Sequence, residues 1–352
     1  MKKAVKQLAR IAIGGRCYDY LLYRRHYRLL LRRNGLPNCH AVGEDAYIGK
    51  WRQLSHCIEP YSYRLFSHWC GPTPDIIPED IMHSVVEMRL NPREQWDTYE
   101  DKNNFAKYLG DSILPQTVAF RQAGGSITYN SQLSALNSPL ILKPAVGTSC
   151  GENIMRFERV GEQYRSADGT LLNSDFLASF GTDWVLQEAI VQHPYLQRFC
   201  HTAVCTVRLV VYRSVVDGCP HVTAAILRVG HDGSVVDNIG AGGRFLAVNI
   251  ADGHICGPFI GRYGERTNVW NGLDITAGEY RVPCWDAVVA QALKVASCVG
   301  PHHLLALDIT VSDKEKPMLI EYNIGGFTTY LYHFTGQTVF GHWTDEVVAY
   351  CR

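Results

Sequence analysis

Leu305-Ala-Leu-Asp308-Ile-Thr310 and, a few residues on, Met318-Leu-Ile-Glu321-Tyr-Asn323-Ile-Gly-Gly326 decide the fold. Each segment is an apolar run of strand length that ends at a glycine or a charged turn, and the two read as paired strands. Asp308 and Glu321 lie thirteen residues apart, a separation suited to neighbouring strands joined by the polar turn Ser312–Pro317. Glu321 and Asn323 are two apart, so pleating sets them on one face. Three hard oxygen donors thus converge from rigid elements, with no His or Cys among them. That chemistry suits Mg²⁺, which keeps some waters and takes further ligands from nucleotide phosphates. Alone, the same residues also describe a hairpin with two surface carboxylates, and the rest of the chain has to decide.

The 352 residues carry 34 basic and 34 acidic side chains, so no whole-protein field points to nucleic acid. Length allows one large domain or two to three small ones. Twelve cysteines are many, yet they are scattered with no CxxC pair, which favours free thiols in a reducing compartment over disulfides or zinc. No apolar stretch approaches the roughly 20 residues of a membrane span. Ile11–Ile13 is too short for the core of a signal peptide. The expectation is a cytoplasmic protein.

Residues 1–33 are basic, with Tyr20, Leu21, Tyr23, Tyr27, Leu30 and Leu31 at helical spacing and a break expected at Gly14-Gly15. Such a segment can lie on an anionic membrane surface; a packed helix with a solvated charged face is the commoner outcome and the favoured one here. Residues 36–95 carry no motif and read as an irregular, mostly helical cap. From about Trp96 the texture changes to helices and strands without regular alternation, which indicates an α+β fold. Strands are expected after Pro115, at Leu140–Lys143, Trp184–Glu188, Arg208–Tyr212 and Val222–Val229, and a helix at Val288–Cys298.

Leu140-Ile-Leu-Lys143-Pro-Ala-Val-Gly147-Thr148-Ser149-Cys150-Gly151 is the second anchor. A strand ends in a lysine, and a loop with two glycines and two hydroxyls follows. Glycines let backbone N–H groups turn toward an anion, and the lysine supplies charge for phosphate oxygens. No Gly-Lys-Ser/Thr follows, so this is not a Walker A loop; a buried lysine before an ordinary turn would look the same.

Lys102, then Lys143 with its glycine-rich loop, then Val185-Leu-Gln187-Glu188-Ala-Ile190-Val191, then Asp308 and Glu321-x-Asn323 resemble, in that order, the ATP-grasp superfamily over roughly residues 96–340. The resemblance implies two α+β subdomains with ATP and Mg²⁺ between them. Lys102 and Lys143 match its two phosphate lysines, and Gly147, Thr148, Ser149 and Gly151 its mobile phosphate loop. Gln187, Glu188, Ile190 and Val191 match the adenine-holding hinge near 187–192, and Asp308, Glu321 and Asn323 the metal ligands. A Gly-Glu that holds the ribose in many relatives is replaced by Gln192-His193-Pro-Tyr195, which leaves His193 and Tyr195 as weak substitutes. Residues 1–95 show no obvious resemblance to the Rossmann-like domain common in the superfamily, and the division expected is a helical region over 1–95 and an ATP-grasp domain over 96–352.

Thr206-Val-Arg208, Ala224-Ala-Ile-Leu-Arg228 and Asn238-Ile-Gly-Ala-Gly242-Gly243 form a further ordered set. Arg208 and Arg228 lie on consecutive β runs and can point into one cleft, where arginine forks neutralise phosphate or carboxylate. Gly242-Gly243 would let amides approach an oxyanion. Similar Arg, Arg and Asn-x-x-x-Gly-Gly elements occur in ATP-grasp carboxylate–amine ligases, so the resemblance implies catalytic roles for Arg208, Arg228 and Asn238. With Asp252-Gly, Pro258, Gly272 and Val282-Pro-Cys-Trp285 the chain resembles the sugar-transfer-associated ATP-grasp branch, found beside genes for surface polysaccharides.

The activity this implies is ATP-dependent joining of a small-molecule carboxylate to an amine, sugar- or amino-acid-linked, through an acyl phosphate. A kinase that phosphorylates a hydroxyl on the same fold, or a non-catalytic nucleotide binder, are the competing readings. His193, His201, His302 and His303 lack the spacing of a metal site and read as loop and core histidines. Cys150 has no identifiable partner base.

Overall fold

Side-chain alternation along the strands sorts the described residues into two large antiparallel sheets with separate cores, beside a two-stranded ribbon of Val269–Trp270 and Leu273–Asp274. The computed structural model describes residues 15–147 and 153–352. The smaller sheet comprises β1 (Thr117–Arg121), β2 (Thr128–Tyr129), β3 (Leu140–Pro144), β4 (Met155–Val160), β5 (Gln163–Ser166) and β6 (Trp184–Glu188), in the order β2-β1-β6-β3-β4-β5. Leu140 and Leu142 face a core with Phe157, Leu177, Trp184 and Leu186. Ile141 and Lys143, out of phase with them, look out of the other face.

The larger sheet contains β7 (Thr206–Arg213), β8 (Pro220–Val229), β9 (Arg244–Val248), β10 (His254–Ile260), β11 (Arg266–Thr267), β12 (Leu304–Val311) and β13 (Pro317–Asn323), ordered β11-β10-β9-β8-β7-β12-β13. Every residue of β12 is buried, because both faces of the sheet are covered. On one face the helix Trp285–Cys298 packs Val288, Ala292 and Val295 against Leu209, Leu227, Leu307 and Ile309. The other face takes the N-terminal helices. Tyr27 and Leu31 of α1 (Gly15–Arg33), Tyr47, Trp51, Phe66 and Leu90 share one cluster with Val210, Tyr212, Ala224 and Leu304. Residues of the expected cap therefore share their core with the sheet.

Asn91 fastens cap to sheet. Its Nδ2 donates to the carbonyls of Leu304 (2.6 Å) and Ile324 (2.5 Å), and its Oδ1 accepts from the amides of His303 and Leu304 at 2.9 and 3.0 Å. The preceding helix starts as an α turn at Glu79–Ile81, widens to a π turn over Met82–Val86 and closes as α over Glu87–Leu90.

The α+β architecture expected from the sequence is the one found, with the anticipated strands in place. Strands β2, β4, β5, β9, β10 and β11 lie in stretches where none was anticipated. Among the described residues all eleven cysteines are free thiols, and no helix is long and apolar enough to cross a membrane.

Candidate functional site

Period-two logic places the charged residues. On β7, Val207 and Leu209 face the Trp285–Cys298 helix, so Thr206 and Arg208 face the opposite side. On β8 and β12 the same alternation sends Arg228 and Asp308 that way. Asp308 pairs with Arg208 across β12 and β7, and Thr206 with Arg228 across β7 and β8, which brings the three charges together. β13 needs a correction of phase to join them. Leu319 faces the core, and strict alternation would send Glu321 and Asn323 after it. A bulge between Asp308 and Ile309 puts Ile320 out of register. Tyr322 thereby takes the core side, while Glu321 and Asn323 turn outward.

Both sheets turn these faces onto one cavity of about 830 Å³. From the small sheet come Ile141, Lys143, Gln187 and Glu188, from the linking segment Ile190, and from the large sheet Arg208, Arg228, Asp308, Glu321 and Asn323; Lys102 and Asn238 complete the polar wall. The helical segment adds Tyr23, His26, Tyr27, Glu79 and His83 at the far end.

Arg208 grips Asp308 as a fork, Nε to Oδ1 at 2.7 Å and Nη2 to Oδ2 at 2.6 Å, while Arg228 Nη1 donates to Oδ2 at 2.9 Å. The other arm of Arg228 donates to Asp237 Oδ1 at 2.7 Å, and Thr206 donates to Asp237 Oδ2. Burial would push the Asp308 carboxyl up, but the two guanidinium groups hold it down to about 2. Burial pushes the Asp237 carboxyl up, with Arg228 opposing. Glu321 pairs with Lys102 at 3.2 Å. Lys143 touches only the Ile320 carbonyl, at 3.4 Å, among the described residues. Burial first, and Lys102 second, bring its ammonium down to about 8 against the pull of Glu321.

The donors fit a hard divalent cation. Asn323 Nδ2 is buried without a hydrogen-bond partner among the described residues. Among the described residues Asp308 Oδ1 accepts one bond and keeps a lone pair, and Glu321 is bound only to Lys102. Among the described residues no three His, Cys, Asp or Glu side chains gather as a metal site, and the set here is two carboxylates and an amide.

Several expectations change. Arg208 and Arg228 do share a cleft, but the carboxylate they clasp is the chain's own Asp308. Gly242-Gly243 offers no amides to an oxyanion, because those N–H groups bond the Ile239 and Asn238 carbonyls. Its glycine is needed for packing: a Cβ on Gly243 would sit 2.8–2.9 Å from the Asp237, Asn238 and Val229 carbonyl oxygens. Asn238 borders the cavity, though its Oδ1 accepts from the Gly240 amide at 2.7 Å. Val191 lies off the cavity, with its side chain exposed and its carbonyl taken by the Asp313 amide. His193 and Tyr195 are structural: His193 Nδ1 accepts from the Tyr195 amide, and the Tyr195 hydroxyl donates to the Glu279 carbonyl. Gln187 is buried and donates to Pro115 O and Thr117 Oγ1, and Glu188 accepts from Ser138. Gly147 adopts φ 69°, the left-handed region that favours glycine. Thr148, Ser149, Cys150 and Gly151 lie outside the described residues.

Sequence reading missed the helical wall. Glu79, His83 and Glu87 recur every four residues along one helix, and that spacing was the available signal. His83 Nδ1 meets Glu87 Oε2 at 2.8 Å and Nε2 meets Glu79 Oε1 at 3.5 Å. Tyr27 and Thr329 also donate to Glu79, and the Phe327 amide donates to Glu87. Burial disfavours the imidazolium, yet the two carboxylates raise His83 from 6.5 to about 10. A raised histidine stabilises fully below pH 6.5, and that contribution is lost as pH climbs toward 10. Amide-exchange protection of residues 79–90, corrected for intrinsic rates, should hold near pH 6 and fall between pH 7 and 10. Unchanged protection up to pH 10 would show that the ladder contributes nothing.

Two α+β lobes that close on a cavity with paired lysines, arginines and a carboxylate–amide set define the ATP-grasp class. The sequence profile of the sugar-transfer associated ATP-grasp family matches residues 82–331, and the chain belongs to that family. No curated protein sequence matches it. Similar solved structures include the ATP-grasp ligase PsnB complexed with a phosphomimetic variant of its minimal precursor, Mg and ADP, at 14% identity and TM-score 0.40, covering 74% of this chain and 60% of that one. L-amino acid ligase from Bacillus licheniformis follows at 12% identity and TM-score 0.38, covering 71% and 48%. N5-carboxyaminoimidazole synthetase from Staphylococcus aureus with ADP shows 10% identity and TM-score 0.39, covering 69% and 52%. The chain thus spans about half to three-fifths of those proteins' own length.

Proposed function

We propose that this chain is an ATP-dependent carboxylate–amine ligase that works through an acyl phosphate. The observation that carries the reading is the continuity of one cavity. It runs from Gln187–Ile190, past Lys143, Lys102 and the Asp308, Glu321 and Asn323 set, to Arg208 and Arg228. Adenine is assigned to the Gln187–Ile190 segment and the phosphates to Lys102 and Lys143. Mg²⁺, held by Asp308, Glu321 and Asn323, would neutralise phosphate charge and fix the γ-phosphoryl group in line.

In the first step a carboxylate oxygen attacks the γ-phosphorus, the bond to the β-phosphate oxygen breaks, and ADP leaves. In the second an amine attacks the acyl carbon, inorganic phosphate leaves, and the nitrogen gives up a proton. The chain's own work is positioning and charge stabilisation. Lys143 and Lys102 meet the departing negative charge, and Arg208 and Arg228, aligned by Asp308 and Asp237, face the acyl phosphate. Water is kept from this intermediate by the helical wall of Tyr23, Tyr27 and Glu79. The carboxylate and amine are assigned to sugar- or amino-acid-linked small molecules.

Purified protein incubated with Mg-ATP, pooled carboxylates and hydroxylamine should release phosphate in a carboxylate-dependent way and yield hydroxamate. ADP formed without phosphate would point instead to transfer onto a hydroxyl. ATP binding with no turnover in any pool would point to a non-catalytic binder.

A further inference from the structure

We propose that the outer face of α1 is a peripheral docking surface for an anionic lipid bilayer. The helix buries Asp19, Tyr27, Leu30 and Leu31 against the cap. Its opposite face, one helical half-turn away, keeps Leu21, Leu22 and Leu29 in the open at 50%, 43% and 53% exposure. Between them stand Arg25, Arg28 and Arg32, all exposed. The helix holds six arginines and one aspartate, and that aspartate is on the buried side, so the outer face has no carboxylate of its own in a protein whose net charge is zero.

Three of the six arginines have a partner. Arg24 lies over Tyr61 and donates to Tyr20, Arg28 also reaches the Tyr61 ring, and Arg33 pairs with Glu265. Arg25 and Arg32 have no ion-pair or ring partner among the described residues.

Leucine in the open among arginines distinguishes the bilayer from other polyanions. Nucleic acid or an acidic polypeptide would reward the guanidinium groups and leave three leucines in water. A bilayer interface takes both, with leucine entering the acyl boundary and arginine staying among anionic headgroups. The helix is not of the kind that spans a membrane, so the association is with one surface. Leu22 belongs to this face and also lines the cavity, so docking would bring the far end of the cavity against the lipid. This inference is independent of the reaction assigned to the cavity.

The test is flotation of the full chain with vesicles of phosphatidylglycerol and phosphatidylcholine, against vesicles of phosphatidylcholine alone. Two double variants accompany it, Leu21→Ser with Leu29→Ser and Arg25→Gln with Arg32→Gln. The wild-type chain should float with the anionic vesicles only. Each double variant should bind about tenfold more weakly, with an unchanged melting temperature, since all four side chains face outward. Absence of flotation, or equal binding to neutral vesicles, overturns the proposal. So does undiminished binding by the leucine variant, which would make the face a plain polyanion site, or by the arginine variant, which would place the contact elsewhere.

Discussion

Asp308→Ala should lower the free energy of unfolding by about 3–5 kcal/mol, the scale for removing one partner of a buried ion cluster, and leave no measurable ATP turnover. Asp308 is 2% exposed and is bonded by three guanidinium N–H groups. Its removal strands Arg208 wholly and Arg228 in part, since Arg228 keeps Asp237. Asp308→Asn retains the shape and one acceptor oxygen. It should recover part of the stability and none of the turnover, because charge is lost on the side facing the cavity. Urea unfolding gives the stability, and ADP release gives the activity. If Asp308→Ala unfolds like the wild type, the arginine clasp contributes far less than its geometry implies.

Glu321→Gln should have the opposite profile. Its partner Lys102 is 12% exposed and Glu321 itself 33%, so the lost pair is partly solvated and stability should move by less than about 1 kcal/mol. Turnover should fall by roughly 10³-fold or more, the scale on which charge-stabilising groups act in phosphoryl transfer. The two roles separate in a titration. Nucleotide affinity in the presence of Mg²⁺ should drop, while affinity in excess chelator should stay constant or rise, since Lys102 is freed to meet phosphate. Near-normal turnover in this variant would remove Glu321 from the metal set.

The hairpin was legible because its two strands are long, apolar and separated by a polar turn, and because Glu321 and Asn323 differ by two. Which way they face was not legible. Only the bulge decides it, and a bulge is set by the ladder of both strands, which no single segment announces. Arg208 and Arg228 could be read as cleft residues from strand alternation, but the partner they would choose depended on a cross-strand register fixed a hundred residues later, at Asp308. The glycine pair at 242–243 looked like an anion cradle, since sequence cannot distinguish an amide left free from one spent on a neighbouring carbonyl. The helical wall was missed for a different reason: Tyr23, Glu79 and His83 come from segments whose composition resembles any packed helix, and they meet the cavity only through tertiary contact.

The small sheet keeps a core of its own: Val118, Leu140, Phe157, Trp184 and their neighbours share no member with the clusters of the large sheet. Main-chain bonds such as Lys102 N to Ala145 O, His193 N to Val311 O and Asp313 N to Val191 O tie the two together across short seams. The separate core of the small sheet predicts that it melts as a cooperative unit of its own. A ligand that touches Lys143 on one lobe and Arg208 on the other acts as a reversible crosslink between them, so occupancy of the cavity would be legible as two calorimetric transitions merging into one.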